Sequence, residues 1–361
     1  MSESDSQSAR QSGERLSVWI QYKRDGPHQH THTHTYQISY GEMFAQKNSI
    51  TTKSFRETLG ISASSKCVLT LRSPFDAPEM GPIKGKNKKS DKEITVAIRT
   101  ACGNVSITPS QVAEMISSIT TNNDLDNTRF VLPSEEIMLF ESGKNRSRRV
   151  HDRNLKWIIN TLQELKKRHV KIRVLIPVIA ISPTSSSSPD KKREIERVQT
   201  LARFANDKEN NVDGFMILGL NSGESDNEFK EMLSQTVRTL RSSSSSSQTI
   251  LVRRVVSFRQ LQHCIDAEIN LVEFLYPHYA TSEGHCISLT DTKTLERLNL
   301  WNKRYVIDTA PLSKSCACFS CKNHVRAYIH HLLHTHEILA RVLLYIHNLH
   351  SAYKFIQRDY S

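Results

Sequence analysis

Short apolar runs alternate with longer amphipathic segments through the middle of the chain. Six runs have the length and β-branched content of strands, at residues 94–98, 137–140, 174–181, 215–218, 250–256 and 271–276. Apolar positions recur at helical spacing in residues 109–119, 153–167, 192–204, 228–240 and 258–265. This alternation predicts an α/β fold with a parallel sheet, and we expect an irregular (β/α)8 TIM-type barrel over residues 16–310. No G-x-G-x-x-G follows any of the runs, so a dinucleotide-binding fold lacks its main support.

Polar segments of low complexity interrupt this pattern. Residues 1–15 are rich in Ser, Gln and Glu, and we expect a disordered tail. The lysine-rich stretch 84–92 and the serine runs 185–188 and 242–247 predict solvated loop insertions rather than domain boundaries. The alternating histidines of residues 28–34 fit one face of a strand or a loop, and a metal site there is the less favoured interpretation.

The end of the chain has a second helical pattern. Apolar residues recur at helical spacing from residue 325 to residue 346, with a polar break at residues 334–337. One straight helix would carry His347 about 39 Å from Cys321, at a rise of roughly 1.5 Å per residue. A role for both residues in one site therefore requires a helical hairpin, with its corner at the polar break. We expect Thr335 to cap the second helix and residues 311–361 to form a helical subdomain.

Three of the seven cysteines, Cys316, Cys318 and Cys321, fall within six residues. They cannot all pair as disulfides, but this spacing suits a tetrahedral metal ion, above all zinc. Seven histidines follow that could supply a fourth ligand: His324, His330, His331, His334, His336, His347 and His350. Spacing alone leaves the choice among them open.

The net charge of the chain and its expected cellular compartment limit the kinds of function it can have. The chain has 49 Lys and Arg against 37 Asp and Glu, a net charge of +12 and a pI near 9.4. This balance favours a polyanionic partner such as nucleic acid, although a basic surface can also serve solubility alone. With no apolar signal peptide, no run of 18 apolar residues and no even disulfide framework, we expect a soluble protein of the reducing cytoplasm.

The C-terminal motifs resemble those of a known family. C-x-C-x-x-C followed by R-A-Y-x-x-H-L, E-x-L and L-L-x-x-H-N-L is similar to the zinc subdomain of the queuine tRNA-ribosyltransferase (tRNA-guanine transglycosylase) family. The resemblance implies one Zn²⁺ per chain, held by Cys316, Cys318, Cys321 and the histidine of the H-N dipeptide, His347. It also implies a subunit contact through this hairpin. We therefore expect its leucines and isoleucines to divide between an inner core and an exposed outer face.

A second resemblance lies in residues 212–224, V-D-G-F-M-I-L-G-L-N-S-G-E, and weaker likeness extends over about residues 60–355. Family members carry a similar D-G-aromatic-x-I-x-G-L-x-x-G-E. The resemblance implies that the backbone of Gly219 and Leu220 lines a base pocket at the carboxyl end of a barrel strand, in degenerate form. A tight strand-to-helix turn that needs glycine explains Gly219 and Gly223 equally well.

Two catalytic elements of the family have no counterpart here. The D-S-G-G-F-Q turn, whose Asp acts as acid and base, occurs nowhere in the sequence. The stretch that resembles F-D-C-x-x-P-T-R, which carries the nucleophilic Asp, reads V-E-F-L-Y-P-H-Y at residues 272–279 and is about three residues short. Glu273 corresponds to a preceding structural Asp, and Tyr279 and Ser282 stand where RNA-binding arginines are expected. We therefore expect no catalytic residues.

With these two elements missing, the sequence resembles the non-catalytic accessory subunit of the eukaryotic enzyme. The implied role is to form a heterodimer with the catalytic subunit, which exchanges guanine for queuine at the wobble position of tRNAs with GUN anticodons, those for His, Asn, Asp and Tyr. The family also suggests a peripheral location at the mitochondrial outer membrane. The alternatives are a catalytically active homodimeric transglycosylase and a zinc-stapled RNA-binding regulatory protein.

Overall fold

The computed structural model describes residues 17–21, 34–39, 56, 62, 65–70, 95–100, 103–119, 127–136, 144–170, 172–183, 189–244, 248–289 and 295–358. The expected tail at 1–15, the lysine-rich loop at 84–92, the apolar run at 137–140 and most of the histidine tract lie outside these residues. The chain divides into two compact units, Met1–Val255 with Arg259–Glu273, and Val256–Phe258 with Phe274–Ser361.

A closed barrel of eight strands forms the first unit. The strands of this unit, in chain order, are β1 (Ser17–Gln21), β2 (His34–Ser39), β3 (Lys66–Thr70), β4 (Val96–Thr100), β5 (Gly103–Ile107), β6 (Thr128–Val131), β7 (Arg173–Ile179), β8 (Val212–Leu218), β9 (Thr249–Val255) and β10 (Leu271–Phe274). The barrel order is β1-β10-β9-β8-β7-β6-β3-β2, so β4 and β5 stand outside it. Pairing is parallel from β2 to β9, whereas β1 runs antiparallel to β2 and β10. The α/β class and the parallel barrel are therefore confirmed, but β1 departs from a regular (β/α)8 pattern.

Amphipathic helices connect most of the later strands. They are α1 (Pro109–Ile119), α2 (Lys144–Lys167), α3 (Pro189–Asn206), α4 (Asp226–Ser243) and α5 (Phe258–Asp266). All five correspond to predicted helices. Helix α2 begins at Lys144, well before the predicted residue 153. The prediction missed its first turns because they are basic and carry little apolar periodicity. Helix α4 begins with a capping box between Ser225 and Glu228, which satisfies two backbone donors that a helix start otherwise leaves unpaired.

The placement of the run at residues 94–98 in the barrel was wrong. Strand β4 pairs instead with β5 in a separate two-stranded antiparallel sheet, in which Thr100 faces Gly103. A two-residue connection makes this local pairing available without a crossover helix.

Side chains from most of the barrel strands fill its interior. One core cluster contains Val68, Val131, Leu175, Met216, Leu218, Leu251 and Leu271, which come from β3, β6, β7, β8, β9 and β10. Because strand residues two apart point to the same face, Arg253 lies on the inner face with Leu251, and Glu273 with Leu271. Both charged side chains are almost completely buried, one step closer to the carboxyl ends of their strands.

The second unit is organised around a helical hairpin. Its elements are α6 (Tyr276–Ser282), the antiparallel strands β11 (His285–Leu289) and β12 (Leu295–Asn299), and the helices α7 (Phe319–Asn323), α8 (Arg326–His334) and α9 (Ile338–Arg358). Leu332 and Leu333 of α8 and Leu343 and Leu344 of α9 share one buried core cluster. The hairpin prediction is thus confirmed, while the predicted division at residues 310 and 311 stays a prediction.

The predicted role of Thr335 was wrong. Thr335 closes α8 rather than opening α9, because both its backbone N–H and its hydroxyl donate to the carbonyl of His331, each at 3.0 Å. His336 follows with a positive φ of 57°, which turns the chain out of the helix.

Among the described residues, no helix has both the length and the apolar character needed to cross a bilayer.

Candidate metal centre and barrel mouth

Cys316, Cys318, Cys321 and His347 lie together in the second unit. Their sulfur and nitrogen donor atoms are all within 4.8 Å of one another. The Cys321 and Cys318 sulfurs lie 3.2 Å and 3.6 Å from Nδ1 of His347. A tetrahedral zinc ion, with Zn–S near 2.3 Å and Zn–N near 2.0–2.1 Å, requires a sulfur-to-nitrogen separation of about 3.6 Å. The four residues therefore fit a metal ion of this kind.

The short helix α7 places two of the cysteines. Cys318 is its N-cap, and its sulfur accepts a hydrogen bond from the Cys321 backbone N–H at 3.4 Å. The Ser320 hydroxyl donates to the Leu343 carbonyl at 2.6 Å, which ties α7 to the middle of α9. His347 lies one turn further along α9 and therefore faces the same cysteines.

The other ring nitrogen of His347 fixes which nitrogen faces the cysteines. Nε2 lies 2.9 Å from the Ile287 carbonyl oxygen and must donate to it, so Nδ1 presents its lone pair to the cluster. This carbonyl-to-histidine contact is the outer support that metal-binding histidines usually have.

Asn348 completes the H-N dipeptide by tying α9 to β11 and α6. Its side-chain carbonyl accepts from the Ile287 N–H at 2.8 Å. Its amide donates to the His285 carbonyl and to the Thr281 hydroxyl, both at 2.9 Å. The dipeptide thus combines a residue that faces the three cysteines with one that ties the helix to its neighbours.

Neighbouring thiols shift the pKa of Cys318 and the pKa of Cys321. Hydrogen bonds from Cys316 and Cys321 lower the pKa of the Cys318 thiol, and interactions with Cys316 and Cys318 raise the pKa of Cys321. Three thiolates this close together would repel one another, and a bound cation would offset that repulsion. This is the behaviour expected of a metal-binding cluster.

The other candidate histidines are placed elsewhere. His330 is buried, but its Nδ1 contacts the Leu300 carbonyl at 2.7 Å, which makes it a satisfied core histidine. His331, His334 and His336 are exposed. In the described part of the chain, His347 alone among the histidines joins the three cysteines.

The Gly219-Leu220 turn follows β8 in the first unit. Gly219 and Gly223 have φ values of 83° and 107°, which favour glycine strongly. The Glu224 carboxylate accepts from the backbone N–H groups of Asn221 and Ser222, the latter at 2.7 Å. These bonds give the turn an internal structural role, and its role in a base pocket stays a prediction.

The D-G pair at the start of β8 lies at the opposite end of the barrel. Asp213 pairs with Arg129 at 2.5 Å. A Cβ on Gly214 would lie 1.9 Å from the carbonyl oxygen of Thr249, so only glycine allows β8 and β9 to pair there. Residues at this end stabilise the barrel rather than form its active site.

A network of ion pairs with little solvent exposure lies near the carboxyl ends of the barrel strands. Arg253 on β9 pairs through Nη1 with Glu136, which follows β6, and through Nε with Glu273 on β10 at 3.3 Å. The Arg254 backbone N–H also donates to Glu273, at 2.9 Å. Since β7 and β8 lie between β6 and β9 in the sheet, this ion pair joins the ends of two strands that are not neighbours. The sequence interpretation missed this network, although charged residues at the inward positions of β9 and β10 were a signal for it.

Helix α6 begins directly after β10. Leu275 is the only residue between them, and it is the N-cap of α6. Phe258 packs edge-on against Phe274, Tyr276 and Phe355, with ring centroids 5.1, 5.4 and 4.8 Å apart. The segment that resembles the family's nucleophile stretch therefore passes from the end of β10 into a short helix, and Phe274 and Tyr276 within it belong to an aromatic cluster.

Helix α9 also has an apolar face turned to solvent. Ile338 is 79% exposed, and Leu339, Val342 and Ile346 are 37–47% exposed. These four residues, named here the α9 outer face, lie within a stripe of about 100° around the helix. Leu332, Leu333 and Leu343 are buried, which confirms the predicted division between core and outer face.

Comparison with known proteins identifies the family. The model of the family described as queuine tRNA-ribosyltransferase matches residues 27–358. The queuine tRNA-ribosyltransferase of Dechloromonas aromatica is 33% identical over 139 residues, 38% of this chain and 35% of the relative. The human queuine tRNA-ribosyltransferase accessory subunit 2 is 53% identical over 58 residues, 16% of this chain and 14% of the relative.

The accessory subunit 2 of Aedes aegypti is 28% identical over 229 residues, 60% of this chain and 52% of the relative. The chain thus spans about half or less of the length of each of these three relatives. Since the family match extends over most of the chain and the metal-centre motifs fold together, the chain belongs to the queuine tRNA-ribosyltransferase family.

Proposed function

We propose that the chain is a non-catalytic accessory subunit of a heterodimeric queuine tRNA-ribosyltransferase. Paired with a catalytic subunit, it supports exchange of guanine for queuine at the wobble position of tRNAs with GUN anticodons. Matches to accessory subunit 2 from human and Aedes aegypti support this assignment. The cytoplasm remains the predicted location.

The observation that carries the proposal is the one-residue connection between β10 and α6. A covalent nucleophile has to project from a loop at the carboxyl end of a barrel strand, where a substrate can reach it. Here the chain enters a helix immediately after Leu275. Glu273, the nearest carboxylate on β10, is 1% exposed and paired with Arg253, so it is poorly placed to attack a ribose carbon.

Zinc is the proposed metal of the cysteine cluster. Three thiolates with one imidazole form a closed tetrahedral set, which is typical of structural zinc rather than of a catalytic site with an open position. In this role Cys316, Cys318, Cys321 and His347 hold α7 against α9, and the ion stabilises the hairpin without taking part in the reaction.

The α9 outer face is the proposed contact with the catalytic subunit. A stripe of partly to highly exposed apolar residues on a rigid helix is costly in water and typical of a subunit interface. The metal centre fixes the position of α9, so it indirectly fixes the geometry of this surface. The net charge of +12 suits the tRNA that the heterodimer would bind.

An active transglycosylase is the alternative, because bacterial queuine tRNA-ribosyltransferases also match, one of them at 38% identity over 104 residues. Its active form would be a homodimer, whereas the accessory role requires a different chain.

Association tests the proposal. The purified chain is mixed with a catalytic queuine tRNA-ribosyltransferase subunit, and molar mass is measured during size-exclusion chromatography. A one-to-one complex is expected. A stable homodimer that ignores the catalytic subunit would contradict the accessory role.

A further inference from the structure

Three charged side chains with little solvent exposure meet near the carboxyl ends of the barrel strands of the first unit. The side chains of Arg253, Glu136 and Glu273 are 5%, 11% and 2% exposed. Charged groups are rarely buried to this degree unless they pair with one another, because removing them from water is costly. Their position next to the carboxyl ends of the strands is where barrels of this class bind their ligands.

Arg253 presents a particular chemical shape to the two carboxylates. A guanidinium is planar and carries its N–H donors in a fork that matches carboxylate oxygens. Amidine groups, and the N–C–N edge of amino-substituted heterocycles, present a similar planar row of donors. Arg253 therefore makes the ion pairs with Glu136 and Glu273 that a ligand of this shape would otherwise make.

The pairing is nevertheless imperfect at Glu273. Its Oε2 accepts from Arg253 and from the Arg254 backbone N–H, while its Oε1 is buried and has no hydrogen-bond partner. Leaving a buried carboxylate oxygen unpaired is unfavourable.

We propose that Arg253 is a built-in occupant of a cation site between Glu136 and Glu273, a site whose chemistry selects planar amidinium or guanidinium groups. With its own side chain in place, the chain closes this part of the barrel mouth to external ligands of the same class. Only the closure of the barrel mouth to external ligands rests on the proposed accessory role. The site itself follows from the burial and the ion pairs of these side chains.

Chemical rescue tests the site without any activity assay. The full-length, zinc-loaded chain is compared with Arg253→Ala, which removes the guanidinium and leaves space beside the carboxylates. Thermal unfolding is followed in millimolar guanidinium chloride and in sodium chloride of equal concentration. Arg253→Ala should unfold at a lower temperature than wild type, and guanidinium, but not sodium, should raise its midpoint to a saturating value. Wild type should show no such rise.

Arg253→Met provides the control for both folding and specificity. Methionine fills the space, so guanidinium should not raise the unfolding midpoint of this variant. It also leaves the two carboxylates without the cation that offsets their negative charge, so the variant should lose stability relative to wild type as pH rises.

Two results would overturn the proposal: Arg253→Ala unaffected by guanidinium, or Arg253→Met with the pH profile of wild type. If Arg253→Ala does not fold alone, the same comparison is made on the yield of refolding with and without guanidinium, and the pH profile of Arg253→Met decides independently. Failure here would leave the accessory role intact, because association and base exchange are measured separately.

Discussion

At the scale of single residues, His347 contributes to the second unit through both ring nitrogens. Nδ1 faces the cysteines and Nε2 contacts Ile287. We expect His347→Ala and Cys318→Ala each to lose the bound zinc and to lower the free energy of unfolding by about 3 kcal/mol or more, since a structural metal contributes directly to folding. Elemental analysis and thermal unfolding measure both effects.

His331→Ala is the matched control, because His331 lies on the adjacent helix α8 but is exposed and outside the cluster. It should retain a full equivalent of zinc. Full zinc content in the His347 and Cys318 variants would show that the ligand set is wrong.

His151 makes a pH-dependent contribution to stability. Burial, with a further effect from Arg197, lowers its pKa to about 4, and its Nε2 is buried without a hydrogen-bond partner. The folded state therefore binds fewer protons than the unfolded state between pH 6.5 and about 4, and stability falls as pH drops through this range. Glutamine does not titrate, so His151→Gln should reduce the decrease in the free energy of unfolding over this pH range by roughly 1–2 kcal/mol. Urea unfolding at several pH values measures the change.

His331→Gln should leave that pH dependence unchanged, since the His331 ring is exposed. An unaltered slope in His151→Gln would mean that another group causes the acid sensitivity.

The ligand set and the barrel network differ in how far sequence could predict them. The cysteines lie within one short segment, and motif resemblance added His347, so the cluster could be found without a structure. Arg253 and Glu136 are far apart in the chain and meet only in the folded barrel, near the ends of strands that are not neighbours in the sheet. The alternation of side chains along a strand predicts that Arg253 points inward. Only the closed barrel shows which carboxylates it contacts.

At the scale of elements, the α9 outer face gives the most specific prediction. Val342→Glu with Ile346→Glu should weaken binding to the catalytic subunit at least tenfold, because two charges would be buried against an apolar partner surface. Both side chains are substantially exposed, so the variant should keep its helical circular dichroism and its zinc. Size-exclusion chromatography with the catalytic subunit measures the loss.

Lys230→Glu on α4 changes charge at an exposed position of the other unit and should not affect association. If the double variant on α9 still binds normally, the subunit interface lies elsewhere.

Elements were predictable where periodicity was long. Each of the five amphipathic segments proved to be a helix, and the hairpin followed from apolar spacing in residues 325–346. Strand β6 escaped prediction because it has only four residues, T-R-F-V, which carry no pattern of their own. Thr335 was misassigned because a threonine at a corner can satisfy either the helix that ends or the helix that begins.

At the scale of the whole molecule, the alternation of apolar runs and helices was enough to predict an α/β barrel. It could not predict the antiparallel direction of β1, since direction depends on where a distant segment docks on the sheet. Nor did composition alone distinguish an enzyme from an accessory subunit, because the basic charge suits any chain that works on tRNA.

As a proposed accessory subunit, this chain should support base exchange without performing it. The direct measurement is incorporation of labelled guanine into a tRNA with a GUN anticodon, by this chain alone, by the catalytic subunit alone and by an equimolar mixture. We expect no incorporation by this chain at any concentration, and a rate for the mixture that exceeds the rate of the catalytic subunit alone. Incorporation that scales with the concentration of this chain alone, and that is unaffected by the catalytic subunit, would contradict the proposed accessory role.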